Sequence, residues 1–342
     1  MKAIVAHAAK DLRVEDREMP APGPGEVLIR MERGGICGSD LHYYNHGGFG
    51  TVRLREPMIL GHEVAGRIEA LGPEVEGLAA GDLVAVSPSR PCYACAYCLE
   101  GRHNHCLGMR FYGSAMPFPH IQGAFREYIT ADTRQCARAE GLTAGEAAMA
   151  EPLAVVLHAA RRAGDLMGKG VLVTGCGPIG QLAVVVARAA GAAEVVATDV
   201  APFTLAKAQQ MGADATHNIA EDPAALDSYT GGKGHFDVLF ECSGVASALA
   251  GTIPALRPGA VIMQLGLGGD MTLPVQAMTA KEIELRGSFR FHGEFFTAVA
   301  LMQGGRLDVR PLITQSLPLT EAIAAFDLAS DRSQAIKVQL QF

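Results

Sequence analysis

Between Val171 and Asp199 the spacing of apolar residues changes twice. Val171-Leu172-Val173-Thr174 is a short apolar run, as a strand buried on both faces reads. Gly175-Cys176-Gly177-Pro178-Ile179-Gly180 interrupts it, and 181–190 takes helical spacing. Residues 194–198 return to β-branched character and end on Asp199. The pattern predicts strand, glycine turn, helix, strand. Alternation continues with a helix over 203–211, strands over 213–217 and 236–242, a helix reaching Arg257-Pro258-Gly259, and strands over 260–265 and 282–289. Six strands with helices between them predict an α/β, doubly wound parallel sheet. Residues 1–153 read as mostly β instead. Runs such as Glu26-Val27-Leu28-Ile29-Arg30 and Asp82-Leu83-Val84-Ala85-Val86 are separated by turns such as Pro20-Ala21-Pro22-Gly23-Pro24-Gly25.

Glycine fills 40 of 342 positions, so G-x-G-x-x-G alone carries little weight. Here its context specifies it: a strand before, a helix after, and an acid closing the next strand. Gly175 allows the tight turn, Gly177 lets backbone amides approach a pyrophosphate, and Gly180 lets helix and strand pack closely. Pro178 and Ile179, within the turn, are also expected to meet the cofactor, and the N-terminus of the helix that follows favours the phosphates. Asp199 suits the adenosine ribose hydroxyls and repels a 2′-phosphate. Val200, Ala201 and Phe203 supply no arginine to receive one, so NAD is expected over NADP. Ser243 in Cys242-Ser243-Gly244, and Gly266 and Leu267 in Gly266-Leu267-Gly268, are expected at strand ends beside the cofactor.

The length suits two domains. A net charge of −7 without a basic run excludes nucleic acid as a natural partner. No uninterrupted apolar stretch spans a membrane, and no signal-peptide core follows Met1, so a cytoplasmic protein is expected. Eight cysteines in a reducing compartment then argue for metal ligands or plain thiols before disulfides.

Cys92, Cys95, Cys98 and Cys106 follow C-x2-C-x2-C-x7-C. Four thiolates so spaced can enclose one tetrahedral Zn²⁺, a closed and therefore structural site. His103 and His105 inside the loop are expected to be spectators. Cys37, His62 and Glu151 make a plausible three-ligand zinc set with an open position. Cys136, Cys176 and Cys242 read as buried thiols.

These segments resemble the zinc-dependent medium-chain dehydrogenases, the superfamily of alcohol and sorbitol dehydrogenases. The signature appears as Gly61, His62, Glu63, Gly66, Gly72 and Val75, and the likeness runs the full length. The stretches 33–44, 87–92, 109–125 and 286–291 look closest to members that act on L-idonate. The resemblance implies a discontinuous, mostly-β GroES-like catalytic domain (1–153 and 288–342, structural-zinc lobe about 90–108) and a Rossmann NAD-binding domain (154–287). It implies Cys37 and His62 as catalytic zinc ligands. Glu151 is third ligand or partner of the zinc-bound water, and Glu63 a close or alternating ligand. Zinc would lower the pKa of a substrate hydroxyl, while Ser39 takes its proton and His42 passes it on. Tyr43, Arg110 and Arg290 would meet substrate, the arginines binding an aldonate carboxylate, and Arg290 would also touch the cofactor. Phe291 stands where sorbitol dehydrogenases usually carry tyrosine. The implied activity is NAD-dependent oxidation of a sugar acid's secondary alcohol, L-idonate to 5-ketogluconate, by a homo-oligomer (dimer or tetramer). A sorbitol- or xylitol-type polyol dehydrogenase is the alternative. A non-catalytic dinucleotide-binding protein of the same fold is the reading from another class.

Overall fold

Strand Glu26–Gly35 is the spine of the mostly-β part: Val27, Leu28, Ile29 and Met31 are buried along it. One edge pairs antiparallel with strand Glu63–Leu71. The other edge pairs first with Tyr128–Asp132, then with Lys337–Gln341. The sheet has seven strands, extended by Leu83–Val86 and Cys136–Arg138 on one side and Ile313–Pro318 on the other. A computed structural model describes residues 1–342 and divides them into two units. One comprises Met1–Ala154, Phe291–Asp331 and Lys337–Phe342, the other Val155–Arg290 and Arg332–Ile336.

The second unit holds a six-stranded sheet, parallel throughout, in the order Ala215–Asn218, Glu194–Asp199, Gly170–Thr174, Phe236–Glu241, Leu256–Gln264, Glu284–Gly287. The order reverses beside the central strand Gly170–Thr174, the topological switch at which such sheets bind ligands. Leu172, Val196, Phe236, Leu239 and Ile262 form a core on the sheet. No helix is long and apolar enough to cross a membrane.

Three local expectations need correction. The helix after the glycine turn starts at Pro178 rather than Gln181, because proline's fixed φ suits a first helical turn. Arg257-Pro258-Gly259 does not end a helix: helix Ala246–Thr252 stops before Pro254, and those three residues lie within strand Leu256–Gln264 as an irregularity in its pairing. Cys136 and Cys176 are buried, but Cys242 is only half-buried.

Candidate active site and dinucleotide turn

Helix Gly38–His46 begins just after Cys37, and its third residue organises the surroundings. Asp40, fully buried, accepts the Cys37 N–H at 3.0 Å through Oδ2 and the Gly61 N–H at 3.1 Å through Oδ1. One carboxylate thus fixes both segments that carry Cys37 and His62. His62 Nδ1 lies 3.7 Å from Asp40 Oδ1 and is buried without a hydrogen-bond partner. Glu63 opens its strand opposite Gly35. A Cβ on Gly35 would stand 2.1 Å from Glu63 Oε2, so glycine leaves the room that carboxylate occupies.

Ligand atoms of Cys37, His62 and Glu63 lie within 4.8 Å of one another. Glu151, buried in the first turn of helix Ala150–Ala163, is outside this tightest set. It is still electrostatically coupled to it: burial pushes its carboxyl up to about 8, His62 opposes, and Glu63 and Cys37 add to the rise. Burial, then Glu63, pushes the Cys37 thiol up to about 12. Two carboxyls, a thiol and an orphaned imidazole nitrogen, all desolvated, fit a divalent cation whose charge would favour their ionised forms.

Ser39 and His42 share one face of the helix, both half-buried. Tyr43 is buried, and its hydroxyl accepts the Ala115 N–H at 3.1 Å. Arg110 is not brought to the cluster. Side chains alternate along strand Arg110–Phe111; the Phe111 ring packs 5.7 Å from the His62 ring, while Arg110 and Tyr112 line a separate cavity. Arg290 ends the second unit with φ 55°, a left-handed backbone conformation costly for arginine. Phe291 is fully buried and stacks on Phe295 with ring centroids 5.8 Å apart.

The ligand atoms of Cys92, Cys95, Cys98 and Cys106 also lie within 4.8 Å of one another. The Cys92 N–H points at Cys106 Sγ (3.1 Å) and the Cys95 N–H at Cys92 Sγ (3.3 Å). Backbone donors, that of Ala94 foremost, bring the Cys92 thiol down to about 6. Donors aimed at sulfur favour thiolates, so this set too fits a metal. His103 and His105 stand aside: His103 stacks on His292 at 3.8 Å, and His105 faces Tyr97.

In the second unit, Gly177 caps helix Pro178–Ala189, and Gly177, Pro178 and Ile179 are half-buried at the turn. A Cβ on Gly180 would fall 1.8 Å from the Gly175 carbonyl oxygen, the close approach the motif requires. Asp199 is buried. Its Oδ2 accepts the Cys176 N–H at 2.5 Å, and its Oδ1 accepts those of Val200 (2.7 Å) and Ala201 (3.0 Å). Of about four acceptor positions, one on Oδ2 is left for a ligand. Ser243 donates its hydroxyl to Glu241 and accepts the Val245 N–H, so that hydroxyl is spent inside the turn. Gly266 lies beside Gly244, and Leu267 is exposed.

Three organising residues escaped the sequence analysis. Asp40 carried a signal, an acid three residues after a helix cap. Glu241, fully buried, accepts from Ser243, Gly244 and the Gln264 amide (2.6 Å), tying together the two strand-end turns; only its place at a strand end hinted at this. Lys337, whose Nζ bonds both Glu63 oxygens, carried no local signal at all.

Two family descriptions match the chain: alcohol dehydrogenase GroES-like domain over residues 23–141, and zinc-binding dehydrogenase over residues 178–304. L-idonate 5-dehydrogenase (NAD(P)(+)) of Escherichia coli is 44% identical over 92% of each chain. The solved structure of L-idonate 5-dehydrogenase from the same species superposes with a TM-score of 0.95, covering 100% of this chain and 98% of that one. Sorbitol dehydrogenase of Gallus gallus is 37% identical over 99% of this chain and 96% of its own.

Proposed function

The chain belongs to the zinc-binding medium-chain alcohol dehydrogenase family, and from that membership we propose that it oxidises the C5 hydroxyl of L-idonate to give 5-ketogluconate, with NAD preferred over NADP. It is an NAD(P)-dependent dehydrogenase of CH–OH groups whose small-molecule substrate is a sugar acid or polyol. The observation that carries the substrate is 44% identity over 92% of both chains to an L-idonate enzyme, against 37% to a sorbitol enzyme. The buried Phe291 supports the same choice.

Cys37, His62 and Glu63 or Glu151 would hold a zinc that would supply Lewis acidity at the reacting hydroxyl, and the four-cysteine lobe would hold a structural zinc. Ser39 takes the hydroxyl proton and His42 passes it to solvent. Tyr43 forms apolar wall. Arg110 and Arg290 stay the two candidates for a substrate carboxylate. The single vacant acceptor on Asp199 supports a ribose hydroxyl over a dianionic 2′-phosphate, hence NAD. The family resemblance supports a homo-oligomer, dimer or tetramer, working in the cytoplasm.

The test compares L-idonate, D-gluconate, sorbitol and xylitol as reductants of NAD⁺, with wild-type and Cys37→Ser enzyme. A kcat/KM for L-idonate well above those of the neutral polyols, abolished in the variant, is the expected result. Faster turnover of sorbitol or xylitol would overturn the sugar-acid reading in favour of a polyol one.

A further inference from the structure

A cavity of about 210 Å³ in the first unit carries positive charge that little in the protein answers. Arg90 and Arg110 lie directly opposite each other in the short antiparallel ribbon Ser89–Arg90/Arg110–Phe111, where like charges are destabilising. Arg90 is relieved by Glu26 at 2.9 Å and distantly by Asp132 at 3.9 Å. Neither Arg110 nor Arg126 has a carboxylate partner, although both line the cavity. Arg126 Nε is buried with no hydrogen-bond partner, a costly state for a charged donor.

The rest of the lining leaves one further donor group free. The Tyr112 hydroxyl is committed to the Thr130 carbonyl at 2.8 Å. His120 Nε2 takes the Arg55 N–H at 2.9 Å, and Nδ1 sits 2.9 Å from the Pro117 carbonyl, so both ring nitrogens are occupied. Gln122 spends its Oε1 on the Ile59 N–H, which leaves its amide N–H groups free for a ligand. No carboxylate lines the space.

We propose that this cavity is an oxyanion-binding site, separate from the Cys37/His62/Glu63 set, that takes the phosphate or carboxylate group of a small metabolite. Guanidinium forks match either group bidentately, and the bound anion would relieve both the Arg90–Arg110 repulsion and the unmet Arg126 donor. Neither the dehydrogenase chemistry nor the glycine turn requires this site.

The experiment is calorimetric titration of the zinc-loaded enzyme, saturated with NAD⁺ so that the glycine turn is filled, in a low-chloride zwitterionic buffer. Inorganic phosphate is one probe and D-gluconate the second. The expected result is saturable uptake of one anion per chain, weakened roughly tenfold by Arg110→Ala and lost in Arg126→Met. The tighter of the two probes identifies the group the site is built for. Arg110 is exposed, so its variant keeps the test decisive if Arg126→Met does not fold. Absence of saturable uptake of either probe, or uptake indifferent to both variants, would overturn the proposal. So would dissociation of an oligomer in Arg110→Ala without anion uptake, which would assign these arginines to carboxylates of a second copy.

Discussion

Lys337 Nζ lies 2.7 and 2.6 Å from the two carboxylate oxygens of Glu63, and both side chains are 1% exposed. The ammonium also donates to the Ile36 carbonyl at 3.1 Å. A candidate metal ligand is thus already paired with a buried cation. Removing one partner of such a pair leaves an uncompensated buried charge, at a typical cost of ~3–5 kcal/mol. Lys337→Met is therefore expected to lower unfolding free energy by about that much in zinc-free protein. Zinc-loaded protein should lose less, because the metal then answers the Glu63 charge. Denaturant unfolding with and without zinc, with Glu63→Gln/Lys337→Met closing the cycle, measures both effects. An equal loss with and without zinc would show that Glu63 does not face the ion.

The two clusters of metal-ligating side chains predict two zinc ions per chain of different kinds. Cys106→Ser should lose the lobe ion and lower Tm, while Cys37→Ser should lose the other ion and all turnover, each retaining a single zinc by elemental analysis. Loss of both ions from either variant would mean that the sites are not independent.

How much of this could be read from the sequence follows the distance over which each interaction acts. The glycine turn and the four-cysteine lobe were legible because spacing along a few residues determines both. Cys37 and His62 read only as part of a plausible ligand set until the family likeness paired them, since the carboxylate that unites them, Asp40, acts across 21 residues to Gly61. The Lys337–Glu63 pair spans 274 positions, and nothing near Lys337 distinguishes it from a surface lysine. The face Arg110 occupies was not legible either, since one residue's shift along Arg110–Phe111 changes which face a side chain takes. Arg257-Pro258-Gly259 looked like a helix end, yet the helix had already stopped before Pro254.

Asp199 supports the turn, and under the proposed ribose contact the same carboxylate would select the cofactor. Asp199→Ala removes the acceptor for three backbone amides, so it should lower stability by ~1–3 kcal/mol and raise the KM for NAD⁺. The preference for NAD⁺ over NADP⁺ in kcat/KM should fall by about tenfold, the worth of one charge-assisted hydrogen bond. Steady-state kinetics with both cofactors decides this, and an unchanged ratio would remove Asp199 from cofactor selection.

His103 and His292 stack at 3.8 Å with their planes 19° apart, joining the cysteine lobe to the segment that begins at Phe291. Burial, with His103 adding to it, holds His292 below the ordinary histidine value. The unfolded chain therefore binds a proton more readily, and the stabilisation is complete above the unfolded pKa of about 6.5. It is lost as pH falls from there through the lower folded value. His292→Phe should flatten the acid-side decline of Tm relative to wild type below about pH 6.5. Parallel Tm–pH curves for the two proteins would contradict this.

The strand Lys337–Gln341 lies between Glu26–Gly35 and Ile313–Pro318, and it carries the ammonium that neutralises Glu63. During synthesis, Cys37, His62 and Glu63 leave the ribosome hundreds of residues before that strand does. A growing or prematurely terminated chain can hold these donors but cannot close the sheet behind them or balance their charge. The reactive pocket is therefore assembled late, so that an unfinished chain cannot present a finished metal site.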